Sequence, residues 1–181
     1  MFRVRDSAKL HRTGQMVSDR KDRLTEAQGL GLQGYYESAL EMLEELLREN
    51  PSDLESLRMK GNLLELKALE IRETGRQKLT TSADYLTARK CYEKILEVNP
   101  RDAGAHIDLG DHYRNLDAND KALDHYKEAE SALQRISVGT AWKEDVVQLL
   151  DGVVQLTKHD RLEQEARSVE AWCRQALKTS A

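Results

Sequence analysis

Ala39 to Asp53 reads Ala-Leu-Glu-Met-Leu-Glu-Glu-Leu-Leu-Arg-Glu-Asn-Pro-Ser-Asp, and Ala88 to Asp102 reads Ala-Arg-Lys-Cys-Tyr-Glu-Lys-Ile-Leu-Glu-Val-Asn-Pro-Arg-Asp. The same helix-then-Asn-Pro-x-Asp unit is written twice, so the chain is built from repeats. One helical pair cannot bury its apolar face alone, and several must stack to make a continuous core. A stack of this kind presents a binding surface before it presents an active site.

The wider composition agrees. The 181 residues include two prolines and one phenylalanine, with Leu, Ala, Glu, Lys and Arg making up most of the rest. These are helix formers without a strand vocabulary, which predicts an all-α fold. The 28 basic and 32 acidic residues are mixed along the chain and leave a formal charge of -4. That balance disfavours nucleic acid or an anionic membrane as a partner held through bulk charge. No stretch approaches the roughly 20 apolar residues of a membrane-spanning helix. The start, Met1-Phe2-Arg3-Val4-Arg5-Asp6, lacks the apolar core of a secretory signal, so the expectation is a cytoplasmic protein without membrane insertion. Cys91 and Cys173 lack CxxC spacing and read as packing residues.

The repeat length follows from superposition. Pro51 and Pro100 lie 49 residues apart (100 − 51), as do Gly61 and Gly110, whereas Ala88 to Ala122, Tyr92 to Tyr126 and Ala27 to Gly61 each span 34. In this register the small residues Ala27, Gly61 and Gly110 sit where first helices are crossed closely, and Ala39, Ala88 and Ala122 do the same on second helices. Leu109-Gly-Asp-His-Tyr113, then Ala122-Leu-Asp-His-Tyr-Lys-Glu-Ala129, and Gly34-Tyr35-Tyr36-Glu37-Ser38-Ala39 strongly resemble the tetratricopeptide repeat. The resemblance covers Ser18 to about Leu133. It implies a right-handed α-solenoid of antiparallel helix pairs, with three repeats over 18–136.

The remaining segments are read outward from those repeats. Gly29 and Gly31 mark the first helix as the softest, because each costs about 1 kcal/mol of helix stability relative to Ala. Gln134 stands where the earlier repeats have proline, so the third repeat's second helix is expected to run toward Ile136. Trp142, Val146, Leu149, Val153 and Leu156, then Leu162, Ala166, Val169, Cys173 and Ala176, form two more apolar stripes. These make 137–181 a degenerate capping pair. Residues 1–17, in which Arg3, Arg5, Lys9 and Arg12 outnumber Asp6, read as an N-terminal arm.

The extra 15 residues of the 49-residue interval fall in the second repeat, near 69–83. Leu57, Gly61, Leu64, Ala68 and Ile71 extend one apolar face from Leu54 to Thr74, which Gly75 would end, giving a helix of about 30 Å. Thr81-Ser82-Ala83-Asp84 resembles a capped helix start. The result is one lengthened hairpin, with Ile71 and Leu79 as a secondary docking surface.

Catalytic chemistry needs convergent groups, and no nucleophile beside a base, phosphate-cradling glycine loop, HExxH or CxxC is present. His112 with His125 is the one pair weighed as a metal site, and the default for both is packing. No cofactor, metal or catalytic residue is therefore assigned. In the family resembled, first helices line a concave groove. Carried over, that implies Lys21, Leu24 and Gln28, then Glu55, Arg58 and Asn62, then Ile107, Asp111 and Arg114, with Lys143 and Val147 from the closing pair. Family members that hold acidic chaperone tails share a clamp of Lys or Arg plus Asn. Arg58 and Asn62 match its first helix, but Asp108 stands where Asn is needed, and Asp111 adds a second acid. The expected function is a protein-binding adaptor or scaffold, with a ligand of mixed or neutral charge in the groove. The alternative is a self-associating structural subunit, and an enzyme is the least favoured class.

Overall fold

Two prolines, each behind an asparagine, punctuate a chain that is otherwise almost continuously helical. The computed structural model describes residues 19–73, 78–136, 139–159 and 161–179. Among these lie α1 (19–32), α2 (Tyr36–Glu49), α3 (Leu54–Glu73), α4 (Ala83–Val98), α5 (Ala103–Asn115), α6 (Asn119–Leu133), α7 (Thr140–Leu156) and α8 (Glu163–Thr179). A single turn of 3-10 helix, Leu79–Thr81, precedes α4. No strand occurs among the described residues, and none of the described helices is long and apolar enough to cross a membrane. The expected arm at Met1 to Val17, and Gly75, lie outside the described residues.

From α2 onward each helix packs on the next, and α5 also meets α7 while α6 meets α8. That pattern of near neighbours is a solenoid. Its interior is divided. Leu24, Ala27, Ala39, Leu43, Leu64, Ala88, Tyr92 and Leu109 share one core, and Ile107, Ala122, Tyr126, Val146, Leu149, Val153, Ala166 and Cys173 share the next.

The Asn-Pro-x-Asp unit has a mechanical role at both places. Asn50 and Asn99 close their helices, donating backbone N–H to Leu46 O and Ile95 O. Their side-chain oxygens then accept from Ser52 N and Arg101 N, which turns the chain around the proline. The aspartate starts the next helix. Asp102 Oδ1 accepts from Ala105 N at 2.9 Å, and Asp53 accepts from Ser56 Oγ at 2.8 Å. Each aspartate also receives an arginine from the first helix of the repeat before it, Arg20 to Asp53 and Arg58 to Asp102.

Small residues permit the close crossings. A Cβ at Gly61 would lie 2.5 Å from the Tyr92 ring, and one at Gly110 would lie 2.5 Å from Tyr126 Cδ1. Gly31 on α1 also lies close to α3, since a Cβ there would collide with Leu63 Cδ2. Gly34 (φ 82°) and Asp117 (φ 57°) hold the left-handed conformation in equivalent turns, one with glycine and one with a polar residue that tolerates it.

The lengthened α3 runs to Glu73, the last residue described before Lys78, and Ser82 caps α4 by accepting from Tyr85 N. The overhang packs a small core of Ala68, Leu79 and Tyr85. Two readings need correction here. Leu79 is only 5% exposed and belongs to that core, so it offers no docking surface, while Ile71 is half-buried. The α-helix of α6 stops at Leu133, and i to i−3 bonds from Arg135 and Ile136 close its end. Trp142 Nε1 donates to Leu133 O at 2.9 Å and takes the carbonyl that a longer helix would have used.

Candidate binding groove

The first helices α1 and α3 leave a cleft of about 460 Å³ between them, lined by Gln28, Gly31, Leu32, Leu54, Glu55, Arg58, Met59, Asn62, Leu63 and Leu66. Two of its walls are unusual for a protein surface. Leu32 is 83% exposed and Leu66 51%, so two large apolar side chains stand open to solvent at one concave site. Further along, Val147 on α7 is also exposed.

Of the residues expected to line the groove, Arg58, Asn62 and Gln28 are there, together with Glu55. Asn62 is exposed, and its Oδ1 accepts from Tyr92 Oη at 2.8 Å, which fixes the orientation of the amide. Leu24 and Ile107 are not groove residues. They are 3% and 0% exposed because α1 and α5 turn those positions into the two cores. Lys143 is exposed on α7.

The arginines are already engaged. Arg58 Nη2 donates to Asp102 Oδ1, and its guanidinium lies over Gly104, where a Cβ would come within 2.7 Å. Its Nε is 3.3 Å from Asp108 Oδ2 but misaligned, and both atoms are buried without a hydrogen bond among the described residues. Arg114 donates to Asp111 Oδ1 at 3.1 Å and to Tyr126 Oη at 3.3 Å, while Tyr126 Oη itself donates to Asp111 at 2.6 Å. Arg58 and Arg114 thus tie helices together rather than projecting as free cations. Gly104 is the residue that sequence reading missed here. Its only signal was a glycine placed directly after a helix-opening Asp-Ala.

The floor between α3, α5 and α7 is carboxylate-rich. Asp108 is 7% exposed, and burial pushes its carboxyl up to about 7 against the opposing pull of Arg58 and Gln148, with Glu65 and Asp111 reinforcing the rise. Asp145, on α7 and in the field of the same Arg58, is also raised, first by burial, with Arg58 lowering and Asp102 and Glu144 raising. Gln148 Nε2 reaches Asp108 and Asp111 at 3.4 Å each.

The raised groups set a pH dependence. A carboxyl whose folded pKa lies above its unfolded value favours the folded state below the unfolded value, and that contribution is lost as pH rises through the folded value. For Asp108 the window runs from 3.8 to about 7. Asp108→Asn removes the penalty, so the variant should be more stable than the parent by about 1–3 kcal/mol at pH 8 and should show a flatter rise on acidification to pH 5. Urea melts at the two values check this, and an unchanged pH dependence in the variant would contradict the assignment.

The histidines pair differently from the combination weighed in the sequence. His112 is fully buried and its Nδ1 is 2.5 Å from Glu65 Oε1, whereas His125 Nδ1 is 3.2 Å from His106 Nδ1. His106 Nε2 is 3.2 Å from Pro100 O, an acceptor only, so that nitrogen carries hydrogen and His106 Nδ1 accepts from His125. Burial, and then His106, lowers the pKa of His125. No group of three or more metal-ligating side chains converges among the described residues.

Residues 81–135 match the family model described as tetratricopeptide repeat. The chain is similar in structure to a monomeric mutant of IFIT1 with Gppp-AAAA, with TM-score 0.53 and 16% identity over 87% of this chain. It spans 44% of that chain's length. It is also similar to MamA, with TM-score 0.40 and 14% identity over 84% of this chain and 95% of that one. A third similar structure is TTC0263, a thermophilic TPR protein in Thermus thermophilus, with TM-score 0.30 and 20% identity over 84% and 97% of the two chains. No curated protein matches by sequence.

Proposed function

We propose that this chain, which matches the tetratricopeptide-repeat model over residues 81–135, is a non-catalytic cytoplasmic adaptor that holds a segment of a partner protein in the groove between its first helices. The observation that carries this reading is the cleft between α1 and α3, where Leu32 and Leu66 stand exposed beside the polar groups of Glu55 and Asn62. Apolar anchors beside a few fixed polar groups are the composition of a peptide groove. In this reading α7 and α8 close the solenoid, since the exposed side of α8 is polar, with Glu165, Arg167, Arg174 and Lys178. The IFIT1 structure contains Gppp-AAAA, but the carboxylates on the floor of the present groove argue against an RNA ligand here.

The test uses Leu32→Ser with Leu66→Ser. Both side chains face solvent, so folding should hold within about 0.5 kcal/mol. Binding of a partner captured from the source cell should weaken by about ten-fold or more. Arginine substitutions are poorer probes, because removing Arg58 would also unpair Asp102 and Asp108. Unchanged binding by the double variant would refute the groove.

A further inference from the structure

We infer that the segment held in the groove is basic: its lysine or arginine side chains lie against the carboxylates between α3, α5 and α7, and a neighbouring apolar side chain sits between Leu32 and Leu66. The inference rests on the groove being the binding face and adds the chemistry of what binds there.

Charge is the first argument. Asp102, Asp108, Asp111 and Asp145 gather on the floor, and the guanidinium groups set against them, Arg58 and Arg114, are spent on Asp102, Asp108 and Asp111. Glu55 adds a further acid at the cleft, where it shares Arg20 with Asp53. An acidic tail would meet arginines already committed and surplus carboxylates beside them. A cationic side chain meets the opposite balance.

A pair of weakly held carboxylates is the second. Asp108 is 7% exposed, and while its Oδ2 is turned to Arg58 Nε at 3.3 Å, its Oδ1 has only the long contact from Gln148 on the α7 side. Gln148, exposed on α7, covers this carboxylate and Asp111 with two long contacts of 3.4 Å. An ammonium or guanidinium that displaced the Gln148 amide would donate to both acids with full charge assistance. The apolar cleft adjoins this floor through Arg58, which lines the cleft and pairs with Asp102 and Asp108. One extended segment can therefore present a cation and an apolar anchor together.

The experiment is fluorescence anisotropy with short labelled peptides: one of alternating lysine and glycine with a central leucine, and its counterpart with glutamate in place of lysine. The full chain should bind the lysine peptide and not the glutamate peptide. Asp145→Asn with Glu55→Gln should weaken the lysine peptide about ten-fold or more, and Leu66→Ser should do the same. Glu41→Gln with Glu97→Gln removes the same charge from exposed positions on second helices and should leave binding unchanged. Circular dichroism melts confirm that each variant is folded. If the glutamate peptide binds and Leu66→Ser abolishes it, the groove stands and the basic partner is overturned. Should the lysine peptide bind with equal affinity to all variants, the attraction is diffuse and both readings fall. If neither peptide binds, the inference is overturned.

Discussion

Alanine at Gly110 is expected to destabilise the protein by about 1–3 kcal/mol, although alanine in place of glycine within an exposed helix would stabilise it by about 1 kcal/mol. The reversal comes from one ring. The new Cβ would overlap Tyr126 Cε1 and lie 2.5 Å from Cδ1. Tyr126 has no room to give, since it is fully buried, its hydroxyl donates to Asp111, and Gly152 packs against that hydroxyl from α7. Gly61→Ala should behave alike against Tyr92, which is fully buried and tied to Asn62. Gly61→Trp and Ala88→Trp should unfold the middle of the solenoid. Gly29 supplies the internal control, because nothing lies within 4 Å of its would-be Cβ. Gly29→Ala should therefore raise the melting temperature. Thermal melts of the three alanine variants decide the matter, and a Gly110→Ala protein that melts above the parent would contradict the repeat register.

The second large effect is expected at the buried pair joining α3 to α5. His112→Leu should cost about 3–5 kcal/mol, because it leaves the Glu65 carboxylate buried without its partner. Glu65 already sits above the usual carboxylate range through burial, and His112 is the main group holding it down. The imidazole is further fixed by Tyr85, whose ring stacks on it at 4.1 Å and whose hydroxyl donates to His112 O at 3.0 Å. Glu65→Leu combined with His112→Leu should recover most of the loss, since two apolar groups leave no unpaired charge. Urea unfolding of the single and double variants measures the coupling. Additive losses would show that the contact is incidental.

What the sequence reveals and what it hides divide along the range of the interactions. The repeat, the insertion, the length of α3 and the Ser82 cap are local patterns, and periodicity carries them. Leu79 reads as surface because it lies in an insertion, whereas Ala68 and Tyr85 bracket it and make a small core with it. The first-helix register of the family puts Ile107 in the groove, but every residue from Ala103 to Gly110 is buried, so α5 shows no solvent face there. The state of the arginines was illegible for a different reason. Arg58 and Asp102 are 44 residues apart, and Glu65 and His112 are 47 apart. No helical period connects such pairs, and only the stacking of α3 on α5 decides that side chains which look available are already paired.

The central claim, that a protein segment lies along the first helices, is tested most directly by site-specific photocrosslinking in the presence of the bound partner. A benzophenone side chain at Leu66 or Val147, both exposed on first helices, should crosslink the partner, whereas the same group at Leu86 or Val98, exposed on α4, should not. Crosslinks from Leu86 or Val98 with none from Leu66 or Val147 would contradict the groove and place the partner on the second helices instead.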